Sequence, residues 1–512
     1  MQRIVASGEG SDCVANANPE GQLVVGIQFD AQAFNDAWKY YTGHGGYFVS
    51  NNIYSRLVVL DVFERGDIQP DLAVSWETPD NGRTWVFHLN PVARWHDGVP
   101  VTAHDVAYTY TTVLEHGYSG ITFLQDVEAA RAIDDLTVEI RLTSPNAAFL
   151  AQLGQFVLTH IVPKHLYEGT DWNTNPHNFD PIGSGPFKFS EWVQGERIEL
   201  VANTEYWREG PYVAGITYRV IPEVADAIAA VEAGEVHFVT RDVPCSRIED
   251  VQAMPGADVI VLPGHSMGFV AFNWSKPEFQ DRRVREAIAR AIDREPIAAS
   301  ICPVATTPVH HYLEAVDWAF NAEAIAPEYD PAEAERLLDE AGFTAGDDDV
   351  RLRVRIGYRL IYPHYGVSAR MIGEQLSRIG IDATIEGADP VMWKEKYQDA
   401  GDFDLLIEAG DIGPDPQIMA SYLASDGPRN VMRYSNPVVD EAFREGRATV
   451  NLDERATHYR RLQAALADDI ARVPFLQHGE HLPYRPEFTG WSWSDGVRGT
   501  VPFWYHGKVR KA

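Results

Sequence analysis

The chain has 512 residues, more than one simple core accommodates at roughly 150 residues per domain, so two or three lobes are expected. Hydrophobic residues make up 45% and charged residues 23%, which excludes a disordered chain. Lys and Arg number 43 against 74 Asp and Glu, and the net charge of −31 excludes nucleic acid or an anionic lipid surface as the main partner, since both require a cationic face.

Residues 23–29, rich in Val and Ile, predict a first strand, and a loop with Gly43, His44, Gly45 and Gly46 comes after it. Over 71–89, short strands flank Pro79-Asp80-Asn81-Gly82, a hairpin signal. Residues 102–114 predict a helix with Thr102 as N-cap and Asp105 at its third position. Further strands are expected over 136–142 and 185–201. Asp281 caps a helix whose apolar positions Val284, Ile288, Ile292 and Ile297 share one face. Another helix starts at Asp330, with Pro331 and Glu333 in its first turn, Gly342 past its end, and Ala334, Leu337, Leu338 and Ala341 as its buried stripe. A strand over 352–356, a helix over 369–379 and strands over 382–386 and 403–408 come next. A last helix runs through Tyr459, Leu462, Leu466 and Ile470. Strands alternating with helices predict an α/β protein. No stretch approaches the length of a membrane-spanning helix, and residues 1–19 lack the apolar core of an intact secretory signal. Three cysteines leave at least one free or paired between chains.

Five stretches in order resemble the family 5 extracellular solute-binding proteins, the dipeptide, oligopeptide and nickel type that serve ABC importers. The first is Ile68-Gln69-Pro70-Asp71-Leu72-Ala73 with Trp76, Asn81-Gly82, Trp95-His96-Asp97-Gly98 and Thr102-Ala103-His104-Asp105-Val106. The second is Gly183-Ser184-Gly185-Pro186-Phe187, with Tyr206-Trp207 and Ala233-Gly234-Glu235. The third is Phe272-Asn273 with Asp281, Arg285, Ala287-Ile288 and Ala291-Ile292-Asp293-Arg294. The fourth runs from Tyr329-Asp330-Pro331 through Leu337-Leu338 to Ala341-Gly342, and the fifth over 459–474.

The resemblance implies a two-lobe periplasmic-binding-protein-like α/β fold of type II with the ligand in the interlobe cleft. Lobe I would comprise 20–265 and 484–512, with an extra subdomain at about 55–185, and lobe II 266–483. The implied function is capture of a small organic solute, a peptide or peptide-like molecule, for delivery to the permease subunits of an ABC importer. It would act as a monomer in the periplasm or on the extracellular face, without enzymatic activity, cofactor or metal. On this division Cys302 falls in the other lobe from Cys13 and Cys245, so any disulfide is expected between Cys13 and Cys245.

By the same resemblance the ligand would meet His44 and Tyr47, His265 and Phe269, Arg359 and Tyr362, and the turn Gly410-Asp411-Ile412-Gly413-Pro414-Asp415-Pro416. In peptide-binding relatives that turn reads roughly Trp-x-x-Asp-x-x-Asp-Pro, and its first Asp pairs with the peptide's ammonium. Aligned on Asp415-Pro416, this chain has Ile412 there and Asp411 one residue away. Either Asp411 substitutes through a shifted turn, or the ligand carries no ammonium at that place. An oligosaccharide is the alternative ligand, with Trp393, Tyr397, Trp491 and Trp493 as ring platforms.

One alternative comes from a different class. Gly264-His265-Ser266-Met267-Gly268 matches the G-x-S-x-G elbow of serine hydrolases, which needs a strand before the serine and a helix after it. Residues 258–262 supply a strand, but residues 269–273 predict a second strand, against the elbow. His310-His311 is not metal spacing, because adjacent side chains point apart, and Asp347-Asp348-Asp349 lacks the alternation of a calcium loop.

Overall fold

The computed structural model describes residues 2–4, 21–39, 45–60, 68–154, 158–262, 266–313, 316–346, 348–411, 415–490 and 509–511. The chain forms two compact units, Met1–Leu262 with Glu480–Ala512, and Pro263–Gly479.

Among the described residues the first unit holds two large sheets and two small ones of two strands each, Val58–Leu60 with Ile68–Pro70 and Phe488–Thr489 with Arg510–Lys511. One large sheet has seven strands in the order Asp258–Leu262, Glu480–Tyr484, Phe238–Val239, Gln22–Ile27, Gly215–Val220, Arg197–Ala202 and Phe187–Val193. Gln22–Ile27 lies parallel to both its neighbours and buries Leu23, Val25 and Ile27 completely or nearly so. The other large sheet has five antiparallel strands, including Ala73–Thr78, Thr84–Leu89, Val127–Ala132 and Thr137–Leu142. The expected hairpin joins the first two of these strands. Asn81 and Gly82 both adopt positive φ, 58° and 90°, which the Asn-Gly pair tolerates best. Thr102 and Asp105 close a reciprocal capping box at the start of the helix Ala103–His116, where the Thr102 N–H donates to Asp105 Oδ2 at 2.8 Å.

The second unit is built on one six-stranded sheet in the order Thr306–Pro308, Arg472–His478, Ser266–Phe272, Leu405–Asp411, Leu352–Arg359 and Ile381–Ala388. Both faces are covered. Val270, Phe272, Ile356, Leu405 and Ile407 join the core beneath the helices Arg282–Ala291, Pro331–Glu340 and Pro363–Ser377. Met267, Phe269, Ala271 and Leu406 join a second core with Trp393, Tyr397 and the helices Pro437–Arg447 and Leu452–Asp469. Strand alternation sends neighbouring residues into opposite cores, so these strands read as nearly continuous apolar runs.

The expected caps form. Asp281 accepts from the Arg283 N–H, and Asp330 accepts from the Glu333 N–H at 3.0 Å with Pro331 in the first turn. One expected helix is in fact two. The stripe Val284, Ile288, Ile292, Ile297 breaks after Ala291, and a second helix spans Arg294–Ile301. Gln375 holds the Asp293 backbone in extended form at the junction, donating to its carbonyl and accepting from its N–H, both at 3.0 Å. The helix expected over 369–379 starts earlier, at Pro363, whose fixed φ suits the first turn.

Cys245 and Cys302 are both disulfide-bonded. This corrects the expectation that Cys302 stays out of any bridge; Cys13, the partner expected for Cys245, lies outside the described residues. Among the described residues no helix is long and apolar enough to cross a membrane.

Candidate ligand-binding site

The sheet of the second unit has a topological switch point. From Leu352–Arg359 the chain crosses to a parallel strand on one side, Ile381–Ala388, and then returns to a parallel strand on the other, Leu405–Asp411. Connections leaving a strand in opposite directions open a crevice at its carboxyl end, where ligands of open α/β sheets bind. The other strands add to this edge. Ser266, opposite Asp411, starts its antiparallel strand here, and His478 ends another here.

Arg359 is the last residue of the central strand, and Glu408 sits beside it on the next strand. Arg359 Nε donates to Glu408 Oε1 at 3.2 Å. The guanidinium lies over the Trp393 ring, 3.5 Å from its centroid. Among the described residues Nη1 and Nη2 of Arg359 donate to nothing, and the side chain stays 30% exposed. Glu408 itself is buried. Burial pushes its carboxyl up to about 6, and Arg359 offsets only part of that. A cation is therefore held from below by a ring and from one side by a carboxylate, with its remaining N–H groups available. Such a guanidinium is suited to a bidentate bond with an incoming carboxylate.

The rim of the edge is apolar. Leu360, Ile361 and Tyr362 are exposed in the loop after the central strand, and Val391 and Met392 in the turn after its neighbour. Tyr362 packs on Tyr365 with ring centroids 4.9 Å apart. His364, in the first turn of Pro363–Ser377, lies 4.7 Å from the His478 ring, and burial pushes it down to about 4, so it is neutral near pH 7. His478 Nδ1 is 2.8 Å from Thr306 Oγ1. Asp415 is not available to a ligand's cation, because Arg455 binds it at 2.8 Å and both are buried.

The structure places the remaining expected site residues one by one. Tyr362 is on the rim beside Arg359. Asp411 ends its strand at this edge by its backbone; its side chain lies outside the described residues. His44, His265, Trp491 and Trp493 also lie outside them. Tyr47 is in the first unit, in the first turn of Gly46–Ile53, with its ring 4.3 Å from Phe48. Phe269, expected to face the ligand, is turned inward by strand alternation and is only 3% exposed, beneath Arg472. Trp393 and Tyr397 are buried too, so neither offers an open platform to a sugar. Trp393 instead supports Arg359. The elbow reading fails on its local geometry: Ser266–Phe272 is a strand, and the helix that would expose a nucleophilic serine is missing after it. Glu408 was not singled out by its sequence, although a carboxylate directly after the apolar run Leu405-Leu406-Ile407 was the available signal.

Residues 67–430 match the bacterial extracellular solute-binding proteins, family 5, middle region. The chain belongs to that family. Protein XP55 of Streptomyces lividans is 31% identical over 433 residues, covering 81% of this chain and 77% of the relative. The periplasmic oligopeptide-binding protein OppA of Salmonella typhimurium is 27% identical over 482 residues, covering 87% and 86%. The crystal structure of the ABC transporter substrate-binding protein CtaP from Listeria monocytogenes superposes with a TM-score of 0.83 over 96% of this chain and 99% of that one, at 24% identity. Family 5 proteins are the solute-capturing subunits of ABC importers, and this chain has that function and the two-lobe α/β fold that goes with it. They are binding proteins, found in the periplasm or outside the cell.

Proposed function

We propose that this solute-binding protein captures a short peptide or peptide-like solute bearing a free carboxylate, and that Arg359 receives the carboxylate. The observation that carries the reading is the Arg359 guanidinium itself: seated on Trp393, held through Nε alone, and ending a strand at the switch point. The exposed Leu360, Ile361 and Tyr362 next to it suit apolar side chains of such a ligand better than a fully hydroxylated sugar. The peptide-binding relatives support the same ligand class. In this reading Asp411, at the end of the neighbouring strand, takes the ammonium. The chain works as a monomer on the outer side of the cytoplasmic membrane and passes its solute to permease subunits.

Isothermal titration with a mixed-sequence tripeptide pool and with malto-oligosaccharides tests the ligand class. Saturable heat with the peptides alone is expected. Saturable heat with the oligosaccharides alone overturns the proposal.

A further inference from the structure

The Arg359 guanidinium has a carboxylate partner before any solute arrives. Glu408 is 7% exposed and accepts from Arg359 Nε at 3.2 Å. Strand pairing sets the two side by side: Gly357 pairs with Leu406 and Tyr358 with Ile407, so Arg359 and Glu408 come next along two parallel strands. The sheet face beneath them is closed. A Cβ added at Gly357 would meet the Leu406 side chain at 2.6 Å and the Tyr397 ring at 2.7 Å, and the guanidinium already rests on Trp393 at 3.5 Å. The pair cannot sink deeper, and Nη1 and Nη2 are the groups left to a solute.

The other charged and titratable groups around Glu408 are held elsewhere. Lys396 pairs with Glu386 at 2.6 Å, and the Tyr397 hydroxyl donates to the Glu386 carbonyl at 3.2 Å. Arg355, lower on the central strand, pairs with Asp402 at 2.7 Å. On the other side Glu408 faces Phe269 across the strand pair, and Arg472, one strand further, lies over that ring at 4.3 Å. His364, at the same edge of the sheet, is neutral near pH 7. Asp411 is three residues further along the strand of Glu408. Arg359 is thus the one cation among the described residues that touches Glu408.

A solute carboxylate on Nη1 and Nη2 places a second anion on that single cation. The two carboxylates are then one guanidinium apart, within the roughly 4–6 Å over which neighbouring charges act strongly on each other. Two like charges sharing one partly buried cation do not both stay ionised, and the weaker acid takes a proton. A peptide's terminal carboxyl is the stronger acid, at about 3.3–3.7 in water, whereas burial has already pushed Glu408 up to about 6. We infer, on the reading that Arg359 receives the solute's carboxylate, that Glu408 takes up a proton as the solute binds, so that capture is proton-coupled and tightens as pH falls. The proton comes from water or buffer and forms one O–H bond on Glu408, whose Oε1 still accepts from Arg359 Nε. The guanidinium charge, shared until then, passes to the solute.

Titration calorimetry of the whole chain at pH 6.5, in phosphate and in imidazole, counts the protons, because the two buffers release them with different heats. A mixed-sequence tripeptide pool as free acids should draw in about half a proton or more per peptide, and affinity should fall up to about tenfold per pH unit above that pH. The same pool amidated at the C-terminus brings no second carboxylate, so whatever amide binds should draw in far less. Glu408→Gln keeps an acceptor for Arg359 Nε without the charge. It should lose the uptake and bind free acids at pH 7.5 at least as tightly as the wild type, whereas a merely structural Glu408 would weaken binding and leave the pH profile in place. Free-acid binding that depends on Arg359 but draws in as many protons in Glu408→Gln as in the wild type overturns the inference and leaves the ligand reading standing. Free-acid binding unchanged in Arg359→Met overturns both.

Discussion

Arg359 is held by one nitrogen and one aromatic face, which leaves its other N–H groups without a partner among the described residues, as the proposed carboxylate contact requires. Replacing it with methionine keeps an apolar stem over Trp393 and removes the charge. A hydrogen bond to a charged group contributes about 1.5–3 kcal/mol, so Arg359→Met should weaken binding of free-acid peptides about tenfold to hundredfold and leave C-terminally amidated peptides nearly unaffected by titration calorimetry. Asp411→Asn should discriminate at the other end, weakening peptides with a free amine by about a hundredfold relative to their acetylated forms. Glu408 makes stability depend on pH in a defined direction. Its folded pKa, about 6, lies above the ordinary carboxylate value of 4.5, so between these values the folded state binds more protons than the unfolded. Stability should therefore fall by about 2 kcal/mol as pH rises from about 4.5 to about 6. In urea unfolding at a series of pH values, Glu408→Gln should lack that segment of the profile.

At the scale of elements, capping chemistry makes helix starts predictable. Asp330→Ala removes the acceptor for the Glu333 N–H and should cost about 1 kcal/mol in urea unfolding, with an unchanged slope against denaturant. Thr102, Asp281 and Asp330 were legible because each cap joins a side chain to a backbone group two or three residues away. The break at Ile292–Asp293 was not, because Gln375, which holds it, lies 82 residues further along the chain. Arg359 and Tyr362 were legible as candidates from the resemblance, but Glu408 reads as the end of a buried strand, where a charge is ordinary. Only the pairing of its strand with the central one gives it a cation. Phe269 failed for a related reason. Which face of a strand a residue takes comes from alternation, but with both faces covered a side chain on either one is buried, and sequence alone does not show that cover.

For the molecule as a whole, the family assignment and the two-unit α/β architecture were legible because five short motifs occur in family order across most of the chain. Ligand identity was less so: it would turn on a few side chains, and where the resemblance expects the ammonium-pairing Asp this sequence has Ile412, with Asp411 one residue away. The proposed ligand class stands or falls with a solute carboxylate at Arg359. Its most direct test is the melting temperature of the wild-type protein with a mixed-sequence tripeptide pool as free acids and with the same pool amidated at the C-terminus. Ligand that binds only the folded state stabilises it by mass action, about 2.7 kcal/mol at a hundred times Kd. A clear upward shift is expected with the free acids and a much smaller one with the amides. Equal shifts with both pools, or no shift with either, would contradict it.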